Sequence, residues 1–150
     1  MNLANIDLTQ KEADALIKME KSKADSDQCT YPALGMSLTV PIISTDKRET
    51  FLLDISRKTI ELAKVTLQNR ARQTIVLIRL DFGGSPHRNP DHEEIDTPHI
   101  HIYREGYGDK WAYSLPPVFT NPNDQQTLLR DFMKYCNITD PPNIEWGLFS

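Results

Sequence analysis

The sequence contains few cysteines and no long apolar run. Only two of its 150 residues are cysteines, Cys29 and Cys136, and their wide separation predicts neither a disulfide framework nor a paired-thiol metal site. No segment approaches the roughly 20 consecutive apolar residues of a membrane-spanning helix. The first residues also lack the basic-then-apolar pattern of a signal peptide. We therefore expect one domain over residues 1–150 that is cytoplasmic and has no membrane partner.

Positive charge is scarce overall but concentrated in the middle of the chain. The formal net charge is −4, which argues against general affinity for nucleic acid. Residues 57–88 nevertheless contain seven basic side chains and only two acidic ones. Such a segment could steer an anion to one face of the protein, although a solvated strand hairpin explains the same charges equally well.

The spacing of apolar residues predicts two helices separated by strands. Thr9-Gln-Lys-Glu12 has the pattern of a capping box, and helical spacing continues to about Lys23. Asn123 or Asp124 is placed to cap a second helix, whose apolar residues share one face. The expected fold is α+β, an antiparallel sheet of five to six strands with an N-terminal and a C-terminal helix.

The middle of the chain supplies the strands next to the candidate site. Alternating apolar residues predict a hairpin of two strands around residues 38–42 and 51–55. A third strand is predicted through Ile60 and Leu62 to about Leu67, and residues 68–71 are predicted to form a turn. Residues 73–82 are the most apolar strand and are therefore expected inside the sheet. The following residues 83–98 form a long loop, and a loop of that length in a small domain is often functional.

All four histidines fall within fifteen residues of each other, at His87, His92, His99 and His101. Imidazole is the only side chain whose ordinary pKa lies close to neutral pH. In a strand, alternate residues share a face, so His99, His101 and Tyr103 should point away from Ile100 and Ile102. Because the isoleucines favour the core, we expect the two imidazoles to face a cleft or solvent.

Arg79 and Asp81 share a face near the end of the preceding strand by the same alternation. If the two strands pair, both side chains become neighbours of the His-x-His pair. The loop between the strands carries His87 and Arg88 and could fold over that surface, since Gly83 and Gly84 allow unusual backbone angles.

Metal-independent cleavage of RNA is the first of three open interpretations. One histidine would take the proton of a 2′-hydroxyl, another histidine or a lysine would protonate the leaving oxygen, and arginine would stabilise the phosphorane. This chemistry needs no cofactor. The candidate catalytic residues are His87, His99, His101, Arg79, Asp81 and Arg88. The candidate substrate-binding residues, whose aromatic members would stack on bases, are Tyr103, Arg104, Tyr107, Lys110 and Trp111.

The other two interpretations involve no acid–base catalysis. His99, His101 and Glu105 are the ligand types of a two-histidine, one-carboxylate metal site, and a zinc ion held by His87, His99 and His101 is a variant of it. Alternatively, the histidines only fix the long loop by hydrogen bonds. The protein would then be a non-catalytic binder of another protein, such as a defence or anti-defence factor.

Two segments, RLDFGGSPHRNPD and PHIHIYREGYGDKWA, resemble an uncharacterised family of small bacterial proteins. The resemblance extends from LTQKEAD to YCNIT and implies no activity. More distantly, the Arg-x-Asp strand, the Pro-His pair and the Pro-His-x-His strand are similar to TumE-type toxins of bacterial toxin–antitoxin pairs. That similarity implies growth inhibition through RNA and an antitoxin partner that masks the site. The positions carried over are Arg79, Asp81, His87, His99 and His101.

Overall fold

The computed structural model describes residues 7–58 and 64–147 of the chain. Its elements in chain order are α1 (Gln10–Lys18), β1 (Lys21–Lys23), β2 (Cys29–Thr30), β3 (Ser37–Ser44), β4 (Thr50–Arg57), β5 (Val65–Ala71), β6 (Ile75–Phe82), β7 (His87–Arg88), β8 (Glu94–Ile95), β9 (His99–Ile102), β10 (Ala112–Ser114), α2 (Gln125–Tyr135), β11 (Ile138–Asp140) and β12 (Ile144–Glu145). None of the helices in these described ranges is both long and apolar enough to cross a membrane.

Eight strands form one sheet in the order β10-β9-β6-β5-β4-β3-β1-β11. All neighbours in this sheet are antiparallel except β1 and β11, which are parallel. The strands β2 and β12 form one separate pair, and β7 and β8 form another. The predicted α+β class is therefore correct, but the sheet has more strands than the five to six expected.

The two helices begin where the sequence predicts. The Thr9 hydroxyl accepts a hydrogen bond from the Glu12 amide, and the Glu12 carboxylate accepts one from the Thr9 amide, so the capping box is confirmed. Asp124 caps α2 by accepting a hydrogen bond from the Thr127 amide. Each cap satisfies amide groups that the first helical turn leaves without partners.

Three boundaries differ from the prediction. The first helix ends at Lys18 rather than near Lys23, because residues 21–23 form β1 between β3 and β11. The second helix is not the last element, since β11 and β12 follow it. The expected turn at residues 68–71 is instead the second half of β5, and the chain reverses after it at Arg72 and Gln73, both of which have positive φ. The predicted strand positions Ile60 and Leu62 lie outside the described residues.

The core lies on one face of the large sheet, against both helices. Cross-strand pairing aligns Ile55, Leu67, Leu80 and Ile100 in one row, and each of these side chains is fully buried in a cluster that also contains apolar residues of α1 and α2. Because strand side chains alternate, the residues between them lie on the opposite face. That second face carries the candidate site.

Candidate functional site

Two rows of polar residues cross the sheet on the face opposite the core. In one row Arg79 of β6 pairs with His101 of β9, and in the next row Asp81 pairs with His99. Strand β5 continues the second row with Thr66, which is opposite Asp81. The spacing of two within each strand thus brings Arg79, Asp81, His99 and His101 onto one small area of the sheet.

Asp81 is the centre of this area. Its Oδ2 lies 3.2 Å from Nε2 of His99 and 3.2 Å from Nε2 of His101, and the Thr66 hydroxyl donates to Oδ1 at 2.9 Å. Burial by itself raises the pKa of Asp81, but hydrogen bonds from the two imidazoles and the positive charge of Arg79 hold that pKa well below its usual range. The carboxylate therefore stays ionised at neutral pH.

Arg79 is held by partners on three sides. Its Nε donates to Asp81 at 3.3 Å, and its Nη1 donates to the carboxylate of Asp109 at 2.6 Å. Its Nη2 lies 3.0 Å from Nε2 of His101, whose Nδ1 lies 2.8 Å from the backbone oxygen of Asp109. A carbonyl oxygen only accepts, so Nδ1 of His101 donates to it.

His99 and His87 have different surroundings. His99 faces acceptors at both ring nitrogens, with Nδ1 lying 3.3 Å from the Asp96 carbonyl and Nε2 near Asp81. Nε2 of His87 lies 2.7 Å from the Lys110 carbonyl and donates to it, so Nδ1 is the ring nitrogen that is left to accept a proton. The ring of His87 is 4.6 Å from that of His101 and 6.0 Å from that of His99 between centroids. We call His87, His99 and His101 the histidine cluster.

The expectation that His99 and His101 face a cleft or solvent is only half right. Both rings point away from the core, but His99 is 3% exposed and His101 is 1% exposed. Residues 83–96 and 104–111, which we call the covering segments, lie over them. Asn89 fixes the first segment to β10, because its side chain donates to the Ala112 carbonyl and accepts from the Ala112 amide. Alternation within a strand identifies a face but cannot show what packs on it.

A polar cleft of about 260 Å³ opens beside the cluster. It is lined by Lys64, Thr66, Arg79, Asp81, Gly83, Ser85 and His99. Lys64 was not among the predicted site residues. Its spacing of two from Thr66 was the available signal, since alternation places both on the face of Asp81. Another cavity, of about 510 Å³, lies away from this chemistry, at the end of α2 near Met133 and Ile138.

Two predicted site residues lie elsewhere. Strand β9 ends at Ile102, so the alternation stops before Tyr103, whose ring is buried in the core and whose hydroxyl contacts the backbone of Leu8. Tyr103 therefore offers no surface on which a base could stack. Arg88 is exposed on β7, next to His87, and alternation directs it away from the cluster.

The remaining predicted substrate-binding residues form a group at the second covering segment, in which Tyr107 and Lys110 are exposed and Arg104 and Trp111 are half-buried. The guanidinium of Arg104 lies 4.0 Å from the ring of Trp111 and donates to the hydroxyl of Tyr113. Tyr107 contacts the same indole edge-on at 5.7 Å between centroids, and Lys110 is exposed beside it. Tyr107 and Lys110 are thus the members of this group that are available at the surface.

The predicted metal site also changes. Glu105 accepts a hydrogen bond from the Gln10 amide and so contributes nothing to the cluster. Among the described residues, the group with metal-ligand geometry is Asp81, His99 and His101, whose ligand atoms lie within 4.8 Å of one another. However, Nη2 of Arg79 already contacts His101 and would repel a second cation there.

Comparison with known proteins gives one match. Residues 8–138 match a family described as a family of unknown function (DUF6978), which agrees with the expected membership of an uncharacterised family. No curated protein and no solved structure matches the chain significantly, so the likeness to TumE-type toxins and the bacterial origin stay predictions. The match covers most of the chain, including the whole histidine cluster, and the chain therefore belongs to this family of unknown function.

Proposed function

We propose that the protein cleaves RNA by metal-independent acid–base chemistry at the histidine cluster. The observation that carries this proposal is the meeting of three imidazoles, one guanidinium and one ionised carboxylate beside an open polar cleft. These groups come from β6, β7 and β9, which are separate in sequence. Ionisable groups that are partly buried together in a cleft are the usual signature of a functional site.

We assign the two proton transfers to His87 and His99. In the proposed reaction the 2′-oxygen attacks phosphorus, and the bond from phosphorus to the 5′-oxygen breaks to leave a 2′,3′-cyclic phosphate. The lone pair on Nδ1 of His87 takes the proton of the 2′-hydroxyl, and His99 protonates the departing 5′-oxygen. Each group must come within about 3 Å of the oxygen it serves, and rings 6.0 Å apart can serve two oxygens of one phosphate.

Arg79 supplies the positive charge for the phosphorane, since it lines the cleft and is about a quarter exposed. Asp81 and His101 are positioning residues. Together with Asp109 they fix the guanidinium, and Asp81 also orients His99. His101 is buried, and this keeps water away from its contact with Arg79 and strengthens that contact.

The test is cleavage of a mixed-sequence, end-labelled RNA by the wild type, His87→Gln and His99→Gln, with EDTA present. His92→Asn is the matched control, because His92 is exposed in the same covering segment and has a positive φ that Asn tolerates. We expect cleavage that leaves cyclic phosphate ends, a loss of about a hundredfold or more in both glutamine variants, and no loss in the control. A wild type that cleaves no better than the two glutamine variants would overturn the proposal.

Growth inhibition is the cellular counterpart of this proposal. Expression of the wild type in a bacterial host should arrest growth, whereas His99→Gln should not, and a cognate antitoxin should relieve the arrest. Growth arrest that is equally strong in His99→Gln would show that toxicity does not depend on the histidine cluster.

A metal site is the second candidate. Nδ1 of both His99 and His101 faces a backbone carbonyl, at Asp96 and Asp109 respectively, and metal-bound histidines are commonly oriented in this way. Elemental analysis of protein purified without a metal-affinity tag decides between a metal site and metal-independent acid–base chemistry. Stoichiometric metal, together with loss of cleavage in EDTA, would replace the acid–base proposal.

A further inference from the structure

Lys64 is a basic residue of the cleft to which the proposed chemistry gives no role. It directly precedes β5 and is half-buried. Its spacing of two from Thr66 places it on the same face of the sheet as Asp81 and His99. The cleft therefore has a lysine at one side and Arg79 at its floor.

The position of the Lys64 ammonium depends on a glycine opposite it. Gly84 has a φ of +83°, and a Cβ added there would lie 2.8 Å from Nζ of Lys64 and 3.1 Å from its Cε. Any side chain at position 84 would therefore push the lysine away from the backbone. Glycine is also the residue that adopts this left-handed backbone without strain. The loop thus has both the shape and the space to hold the ammonium at the cleft.

The charges of the cleft favour an anion. Asp81 is the one carboxylate among its lining residues, and that charge is already paired with Arg79 and hydrogen-bonded by Thr66. Lys64 adds a further positive charge, and the hydroxyl of Ser85 adds a hydrogen-bond donor. A volume of 260 Å³ corresponds to several water molecules at about 30 Å³ each, which is enough for one phosphoryl group with part of its hydration.

We infer that this cleft is a phosphate subsite in which Lys64 and Arg79 bind a phosphoryl group from two sides. The inference rests on the proposed function, because it places the scissile phosphate of RNA there, next to His99. Lysine binds phosphate as a point charge, whereas arginine binds it through a planar pair of donors. Lys64 then neutralises the phosphate while Arg79 orients it.

The experiment measures binding and cleavage separately. Inorganic phosphate is titrated into the ¹⁵N-labelled protein, and the amide shifts of Gly83, Gly84 and Ser85 give the Kd. Lys64→Met should raise this Kd about tenfold, the equivalent of one lost charged contact, and should lower kcat/KM for RNA by a similar factor. Lys64→Arg should keep most of both. The charge-matched control is Lys134→Met, which removes an exposed lysine on α2 and should change neither quantity.

The outcomes distinguish the subsite from the reaction. If the wild type cleaves RNA but Lys64→Met leaves both the phosphate Kd and kcat/KM unchanged, the subsite is wrong and the proposed function stands. If the wild type cleaves no RNA but phosphate binds at these amides and is lost in Lys64→Met, the subsite stands and the reaction is wrong. Equal weakening of phosphate binding in Lys64→Met and Lys134→Met would also overturn the subsite, because phosphate affinity would then depend only on the net charge of the protein.

Discussion

Replacing Asp81 by asparagine should destabilise the protein strongly, although the side-chain volume hardly changes. The carboxylate accepts from Thr66 and Arg79 and lies between the two imidazoles of β9. Removing one partner from a buried charged network typically costs about 3–5 kcal/mol. Asparagine keeps one acceptor oxygen, so we expect a loss of about 3 kcal/mol. In a chain of this length that corresponds to a fall in Tm of about 6–12 °C.

The pH dependence of stability has a definite sign. The pKa of Asp81 is lower in the folded protein than its ordinary value, which is about 3.9 in an unfolded chain. The carboxylate therefore contributes its full stabilisation above about pH 4, and that contribution is lost as the pH falls further towards the folded pKa. The asparagine variant lacks this dependence, so its deficit against the wild type should shrink in acid.

The measurement is urea unfolding at neutral pH and at several points below about pH 4. Glu49→Gln is the control, because the ion pair of Glu49 with Arg72 is half-exposed at 3.0 Å and such pairs contribute less than about 1 kcal/mol. If Asp81→Asn costs no more than Glu49→Gln at neutral pH, the buried network does not stabilise the fold and our account of the site is wrong.

Two further predictions concern buried polar groups outside the cleft. Lys21 is fully buried, and its ammonium donates to the carbonyls of Ile17, Met19 and Cys136 at 3.0, 2.8 and 2.8 Å. Lys21→Met should therefore lower the free energy of unfolding by about 3 kcal/mol, and a urea midpoint equal to that of the wild type would refute this reasoning. Tyr103→Phe should cost about 1–2 kcal/mol in the same assay, because it removes both hydrogen bonds to Leu8. It should leave RNA cleavage unchanged when measured at full folding, and a fall in kcat/KM there would return Tyr103 to the substrate-binding residues.

The sequence predicts the composition of the site better than its environment. Arg79 and Asp81 are separated by one residue in β6, and His99 and His101 are separated by one residue in β9. The members of each pair therefore share a face, and that rule depends on local geometry alone. The helix caps at Thr9 and Asp124 are equally local. Burial of the imidazoles depends on the covering segments, whose contacts join residues far apart in the chain. No periodicity of the sequence encodes them.

The missed strands have a related cause. Strands β1 and β11 are three residues long, too short for an alternation to be recognised. Their parallel pairing also joins opposite ends of the chain. The sequence predicts a turn in the second half of β5 because Gln68, Asn69 and Arg70 are polar. Gln68 and Arg70 donate to Asp54 on the neighbouring strand, and Asn69 is fully buried. Polar residues that form hydrogen bonds across neighbouring strands have the same sequence pattern as a loop.

The side chain of Asn89 has a consequence for how a substrate arrives. Its two hydrogen bonds to Ala112 at the sheet edge are both buried, and breaking them costs about 1–1.5 kcal/mol each. At about 1.4 kcal/mol per factor of ten, the first covering segment is detached from the sheet for only a few per cent of the time or less. A substrate of the proposed reaction would therefore reach His99 along the lateral cleft and not by displacement of the covering segment.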